Sequence, residues 1–177
     1  MNTPFTNELQ KTVRRFMEMP KGLQMPMLSY AIGNVVRYVG TTGVRFELMT
    51  EREVVVALPN RKKVQNHIKQ IHAGAMILLA ETASGMVVGM NVSDTCVPVI
   101  KTIKADFVKR SQGAMRATAR LTDEQIQLIR ETEKGETTVE VHVVDAEGKE
   151  PVLVQAVWAW IPKQRPAKEP VEPTTTK

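Results

Sequence analysis

One cysteine in 177 residues rules out an internal disulfide, so a reducing compartment, the cytoplasm, is the expected location. Cys96 heads an apolar run, Cys-Val-Pro-Val-Ile, which suits a buried packing residue better than a catalytic thiol. Aromatic residues are also scarce. Four Phe, two Tyr and two Trp give few platforms on which bases could stack, and no nucleic-acid motif is present, so no nucleic-acid partner is expected. No apolar run reaches the ~18 residues of a membrane span. The longest candidate, 73–92, is broken by Glu81, Thr82, Ser84 and three glycines. The opening Met-Asn-Thr-Pro-Phe-Thr-Asn-Glu has neither a basic region nor an apolar core, so it does not read as a signal peptide.

What is present is the composition of an ordinary globular protein, 42% hydrophobic and 24% charged. The length suits one domain or slightly more, with a core that needs no staples. A net charge of +5 points to an acidic partner. The basic residues are dispersed, however, over Arg61-Lys62-Lys63, then Lys101, Lys104, Lys109 and Arg110, then 163–168. Small phosphorylated ligands fit this pattern better than a polymer.

Periodicity predicts an amphipathic helix over 6–19, with Leu9, Val13, Phe16 and Met17 on one side and Lys11, Arg14, Arg15 and Glu18 on the other, ended by Pro20. Residues 21–43 show no regular pattern. Val44, Phe46 and Leu48 alternate with Arg45 and Glu47, and Val54 to Leu58 follow a polar turn, which predicts a hairpin. Further strands are expected over 97–108, 115–121, 139–143 and 152–161. Between the second and third of these, Thr122 with Gln125 has the spacing of a capping box that opens a short helix. Residues 162–177 carry four prolines and a polar composition, the pattern of a disordered tail. The expected layout is therefore 1–43 packed on a domain of 44–161, with 162–177 as a tail.

The feature that matters most is a single carboxylate in an apolar helix. From Gly74 through Val88 the chain is apolar nearly all round except at Glu81, the pattern of a helix buried at the centre of a fold. A charge there is costly unless something uses it or satisfies it. At 100° per residue Gly74, Leu78, Glu81 and Gly85 share one face, along which a ligand or another backbone could approach closely. An antiparallel sheet curved around one such helix is the economical α+β packing for this element order.

The order of elements, together with Asn66, His72-Ala73-Gly74 and Glu81, resembles the hotdog-fold acyl-CoA thioesterases, in particular the PaaI-like (phenylacetate-pathway) family. That family's pattern is an Asn or Gln, a His-Gly-Gly six residues later, and an acid nine residues after the His. Asn66, His72 and Glu81 stand at those spacings. Ala73 replaces the first glycine and still offers a backbone N–H. The resemblance spans roughly 44–161; the N-terminal helix and the helix near 122–130 are additions to it. It implies a hotdog fold and hydrolysis of an acyl- or aryl-CoA, with no metal and no cofactor, since the coenzyme A portion belongs to the substrate.

In that reading Glu81 is general base or nucleophile, its pKa raised by desolvation. N–H groups at Ala73 and Gly74, at the helix N-terminus, hold the oxyanion. Asn66 orients water or carbonyl, and His72 shapes the entrance. Lys109, Arg110 and Ser111, in the turn after the strand that follows the central helix, face the coenzyme's phosphates, with Arg61-Lys62-Lys63 as a second candidate patch. Each residue also has a plainer reading: Glu81 as a surface-facing helix residue, Asn66 as a turn former, His72 as a cap, Lys109-Arg110 as a solvated basic turn.

Gly74 and Glu81, seven residues apart, are separated by about 10 Å along a helix, too far for one carbonyl to touch both. A second copy with its helix antiparallel solves this, so a homodimer or homotetramer with shared sites is expected. Two other readings stay open: a non-catalytic acyl-CoA-binding module on the same fold, and a hotdog hydratase or dehydratase.

Overall fold

The computed structural model describes residues 5–163. Three helices come first, α1 (Glu8–Met17), α2 (Lys21–Val35) and α3 (Arg37–Thr42). Then come strands β1 (Arg45–Met49) and β2 (Glu53–Leu58), helix α4 (Ala73–Gly89), strands β3 (Cys96–Phe107) and β4 (Met115–Arg120), helix α5 (Asp123–Glu131), and strands β5 (Gly135–Asp145) and β6 (Val152–Pro162). All six strands form one antiparallel sheet in the order β1-β2-β4-β5-β6-β3. The sheet curves around α4, whose Ala75, Leu79, Ala80, Ala83, Val87 and Val88 are buried. This is the expected architecture. The strands facing the helix alternate as their sequence implies, with Val54, Val56 and Leu58 of β2 and Ala117 and Ala119 of β4 fully buried.

Register brings the end of β2, and with it the start of α4, to one end of the sheet. Arg45 pairs with Ala57, Leu58 with Met115, Met115 with Asp145, Val143 with Val152, and Val152 with Phe107. The loop 59–72 leaves β2 at that end and leads into the N-terminus of α4. The C-terminus of α4 is tied to the opposite end, where the Asn91 amide donates to the Glu51 carbonyl at 2.7 Å and its oxygen accepts from Arg130.

The N-terminal region departs from the sequence reading. Residues 21–43 are two helices, not irregular chain. Pro26 and two glycines hide α2, because Pro removes a helical donor and glycine weakens propensity. Tertiary contacts compensate. Leu28 and Ile32 are buried, and the Ser29 hydroxyl accepts from the Phe46 N–H at 2.8 Å, fastening α2 to β1. α2 and α3 cross backbone to backbone: a Cβ built on Gly40 would run into the Gly33 carbonyl group. α1 docks by its own cap. The Asn7 oxygen accepts from the Gln10 N–H, while its amide donates to the Gly89 and Val92 carbonyls at 2.9 and 2.8 Å. One asparagine thus starts α1 and satisfies orphan carbonyls at the end of α4.

Other differences are small. β5 begins at Gly135, and α5 carries the full capping box between Thr122 and Gln125. Cys96 is buried. Pro162 belongs to β6, and the Lys163 N–H donates to the Thr95 carbonyl; the rest of the expected tail, 164–177, lies outside the described residues.

Candidate active site

His72, Ala73 and Gly74 open α4 and Asn66 lies in the loop before it, with their hydrogen bonds already assigned. His72 is the N-cap, and its Nδ1 accepts from the Gly74 N–H at 3.0 Å. Its carbonyl accepts from the Ala75 and Met76 N–H groups. Ala73, first in the helix, has no intrahelical acceptor for its own N–H. Asn66 shapes the preceding loop: its side-chain oxygen accepts from the Ile68 and Gln70 N–H groups at 3.0 and 3.1 Å. These bonds hold a turn in which Lys69 takes φ 60°. The turn-forming and capping roles are therefore real, and they leave the Asn66 amide group and the Ala73 N–H without an acceptor among the described residues. Gly74 offers its N–H only if the His72 ring gives way.

Glu81 lies two turns further on, half-buried, and its carboxylate forms no hydrogen bond or ion pair among the described residues. Burial pushes its pKa above the ordinary carboxylate value. It faces a pocket of about 260 Å³ walled by Leu9 of α1, Val36 and Val39 at the α2–α3 corner, Met86, Pro98 of β3 and Trp158 of β6. The surface-facing reading of Glu81 does not describe this setting. No residue of 66–74 lines the pocket, so within one chain the two halves of the expected site stay apart, as the helix arithmetic requires.

The glycine face of α4 also has occupants. A Cβ on Gly85 would come within 2.7 Å of the Trp158 ring, whose Nε1–H donates to the Ser84 hydroxyl at 3.0 Å. A Cβ on Gly74 would lie 3.3 Å from His72 Nδ1. Two side chains of the same protein, rather than another backbone, fill the approaches that the sequence left open. The pocket walls Leu9, Val36, Val39 and Trp158 were not legible as site residues. Gly85 inside an apolar helix was the one local hint, since such a glycine usually marks a close packing contact.

Lys109 and Arg110 are exposed beyond β3, where the Val108 and Lys109 N–H groups donate to the Pro151 carbonyl. Ser111 is buried, with no hydrogen-bond partner for its hydroxyl among the described residues. Nearby, burial alone would raise the Asp145 carboxyl, but N–H donors from Lys149, Gln112 and Glu147 outweigh it and hold the pKa below the ordinary value. This turn stands at the same sheet end as the start of α4, but on the opposite edge from β1.

Residues 25–161 match the family described as a domain of unknown function (DUF4442). The chain belongs to this family. The match reaches back into α2, so DUF4442 takes in part of the helical region that the resemblance drawn from sequence left aside. No curated protein matches the chain. Among solved structures, a Pseudomonas aeruginosa protein, PA5026, described as of unknown function and a probable thioesterase, aligns with TM-score 0.70 at 23% identity over 81% of this chain and 97% of its own. Thioesterase HI1161 of Haemophilus influenzae aligns with TM-score 0.60 at 15% identity over 72% and 85%. A point mutant of the thioesterase SAV0944 from Staphylococcus aureus gives 0.62 at 19% identity over 71% and 99%. At these identities the likeness shows the fold: the DUF4442 domain here is a hotdog. Among the described residues no group of His, Cys, Asp or Glu could hold a metal ion, and no helix is long and apolar enough to cross a membrane.

Proposed function

We propose that this protein is an acyl-CoA thioesterase of the PaaI-like kind, acting in the cytoplasm on an acyl- or aryl-CoA and releasing free acid and coenzyme A. The observation that carries this reading is Glu81, a carboxylate on the central helix, without a partner among the described residues and raised in pKa, opening on an apolar pocket. As general base it takes a proton from water while the water oxygen bonds to the thioester carbonyl carbon. Collapse of the tetrahedral intermediate breaks the carbon–sulfur bond, and the thiolate leaves to be protonated. As nucleophile, Glu81 would instead form a mixed anhydride that water then cleaves.

The oxyanion donors come from a second copy. Its Ala73 N–H is open, and its Gly74 N–H becomes available when the incoming carbonyl oxygen displaces His72 Nδ1. The open amide of Asn66 points to water or carbonyl orientation. The supporting feature for dimerisation is β3, a 12-residue strand that among the described residues pairs on one side alone, with β6, and carries exposed Val97, Val99, Ile100 and Phe107. Soluble proteins rarely leave such an edge bare. Lys109 and Arg110, with Ser111 behind them, follow that strand and are candidates for the coenzyme's phosphates.

A non-catalytic acyl-CoA-binding module is the second reading, and the capped Gly74 N–H favours it, because a closed donor binds no oxyanion. The test is free-thiol release from short, medium, long and aryl acyl-CoAs by the wild type and by Glu81→Gln. Release that depends on Glu81 supports the enzyme; tight binding without release supports the module.

A further inference from the structure

A second concave site lies on the β1 edge and shares no lining residue with the Glu81 pocket. It is a groove of about 470 Å³ between α2, α3, the start of β1 and the loop after β2. Arg37 of α3, Arg45 of β1 and Arg61 of the loop all reach it, and its lining contains no carboxylate. Arg37, Arg45 and Arg61 form no ion pair among the described residues; Arg14, Arg15 and Arg110 share that property, but only the first three converge on one concave surface, whereas Arg52, Arg116, Arg120 and Arg130 each have a carboxylate partner. Lys63 adds a further charge, its ammonium lying 3.3 Å from where a Cβ on Gly43 would stand. Three guanidinium groups from three elements repel one another in one groove, and an anion with several oxygens reverses the sign of that interaction. Tyr30, 69% exposed, stands at the groove's wall, an aromatic side chain on which a planar base could stack.

We infer that this groove binds the diphosphate of a nucleotide, with Arg37, Arg45 and Arg61 on the phosphates and Tyr30 against the base. The ligand has two sources: the nucleotide end of the coenzyme itself, or a free nucleotide acting as an effector. The first source rests on the thioesterase reading and would put the coenzyme's phosphates here in place of Lys109 and Arg110, which lie at the opposite sheet edge; the groove's position suits it. Arg45 and Arg61 stand at the sheet end where α4 begins, and the chain from Arg61 runs through Val64, whose carbonyl accepts from the His72 N–H at 2.8 Å.

The test is calorimetric titration of the full chain with ADP, with coenzyme A and with pyrophosphate at low and high salt. The Arg37→Gln, Arg45→Gln, Arg61→Gln triple variant should bind ADP at least tenfold more weakly. A single Arg61→Gln change, in an exposed loop, repeats the test should the triple variant not fold. Removing charge at Arg14 and Arg15 on α1 should leave ADP binding intact, and Tyr30→Ala should weaken ADP more than pyrophosphate. If the triple variant also raises KM for acyl-CoA but not for acyl-pantetheine, the bound nucleotide is the coenzyme's own. If KM is unchanged while ADP binding is lost, the ligand is a free nucleotide. ADP that does not bind the wild type, or binds the arginine variants equally, overturns the site. A wild type that binds ADP and releases no thiol sinks the thioesterase reading alone.

Discussion

Glu81 combines two quantities that can be measured separately. Replacing it with Gln keeps shape and hydrogen-bonding capacity but removes the base, so turnover should fall by about 100-fold or more while the fold survives; near-full activity in Glu81→Gln would remove the assignment. Stability should move the other way. Because burial raises the carboxyl's pKa in the folded protein, the native state binds more protons than the unfolded one between the two pKa values. Stability is therefore greatest below the unfolded value, about 4.3, and falls as pH rises through the folded one. Glu81→Gln should thus be more stable than wild type near neutral pH, with the gap closing on acidification. Denaturant midpoints measured across pH test the sign, and a gap that widens in acid would contradict it. Gly85 sets the other residue-scale limit. Gly85→Ala drives a methyl within 2.7 Å of the Trp158 ring, an overpacking that should cost about 1–3 kcal/mol. The displaced ring should also alter acyl-chain selectivity, visible in the same substrate panel. The spacing of Glu81 was legible because one charge in an apolar run is conspicuous, whereas Trp158 reaches the same pocket from the last strand and leaves no local trace.

At the scale of elements, the crossing of α2 and α3 is the contact that admits no adjustment. A Cβ on Gly40 runs into the Gly33 carbonyl group, and backbone cannot rotate away as a side chain can. Gly40→Ala should separate the helices, costing about 1–3 kcal/mol in a denaturant melt. It should also disturb both the arginine groove and the wall that Val36 and Val39 give to the Glu81 pocket. An unchanged melt would mean that the crossing relaxes freely. The elements visible in the sequence are those whose own residues carry the instruction. α4 is apolar nearly all round, α5 is opened by Thr122 and Gln125, and β2 and β4 alternate; in β1 a bulge between Phe46 and Leu48 breaks the expected alternation, exposing Leu48 and burying Met49. α2 was not visible because its helix depends on partners elsewhere: Ser29 on the Phe46 N–H, and Gln24 on the Met17 and Met19 carbonyls. Without these, Pro26 and two glycines argue against a helix. The N-terminal region is consequently the part of the molecule where long-range contacts, rather than local preference, decide both structure and the shape of the pocket.

For the whole molecule, the question is whether one chain can hold a complete site. α4 is a single unbroken helix over Ala73–Gly89, so the proposed donors at 73–74 and the proposed base at 81 stay about 10 Å apart whatever the loops do. A two-fold junction along β3 would bring the base of one copy to the donors of the other. The protein should sediment as a dimer or larger at micromolar concentration, and Val97→Asp with Val99→Asp, which sets like charges across that edge, should lower mass and activity together. A sharper test uses two dead variants. Glu81→Gln removes the base, and Gly74→Val places a β-branched side chain against His72 at the donor end. If each site takes Glu81 from one copy and Gly74 from the other, a mixed dimer has one site with both defects and one with neither. Co-expression in equal amounts makes half of the dimers mixed, so activity should recover to about a quarter of wild type. If each chain holds its own site, both copies in the mixed dimer remain dead and nothing is recovered. Recovery of activity from two inactive chains would also tell against the non-catalytic reading, because a binding module has no turnover to restore.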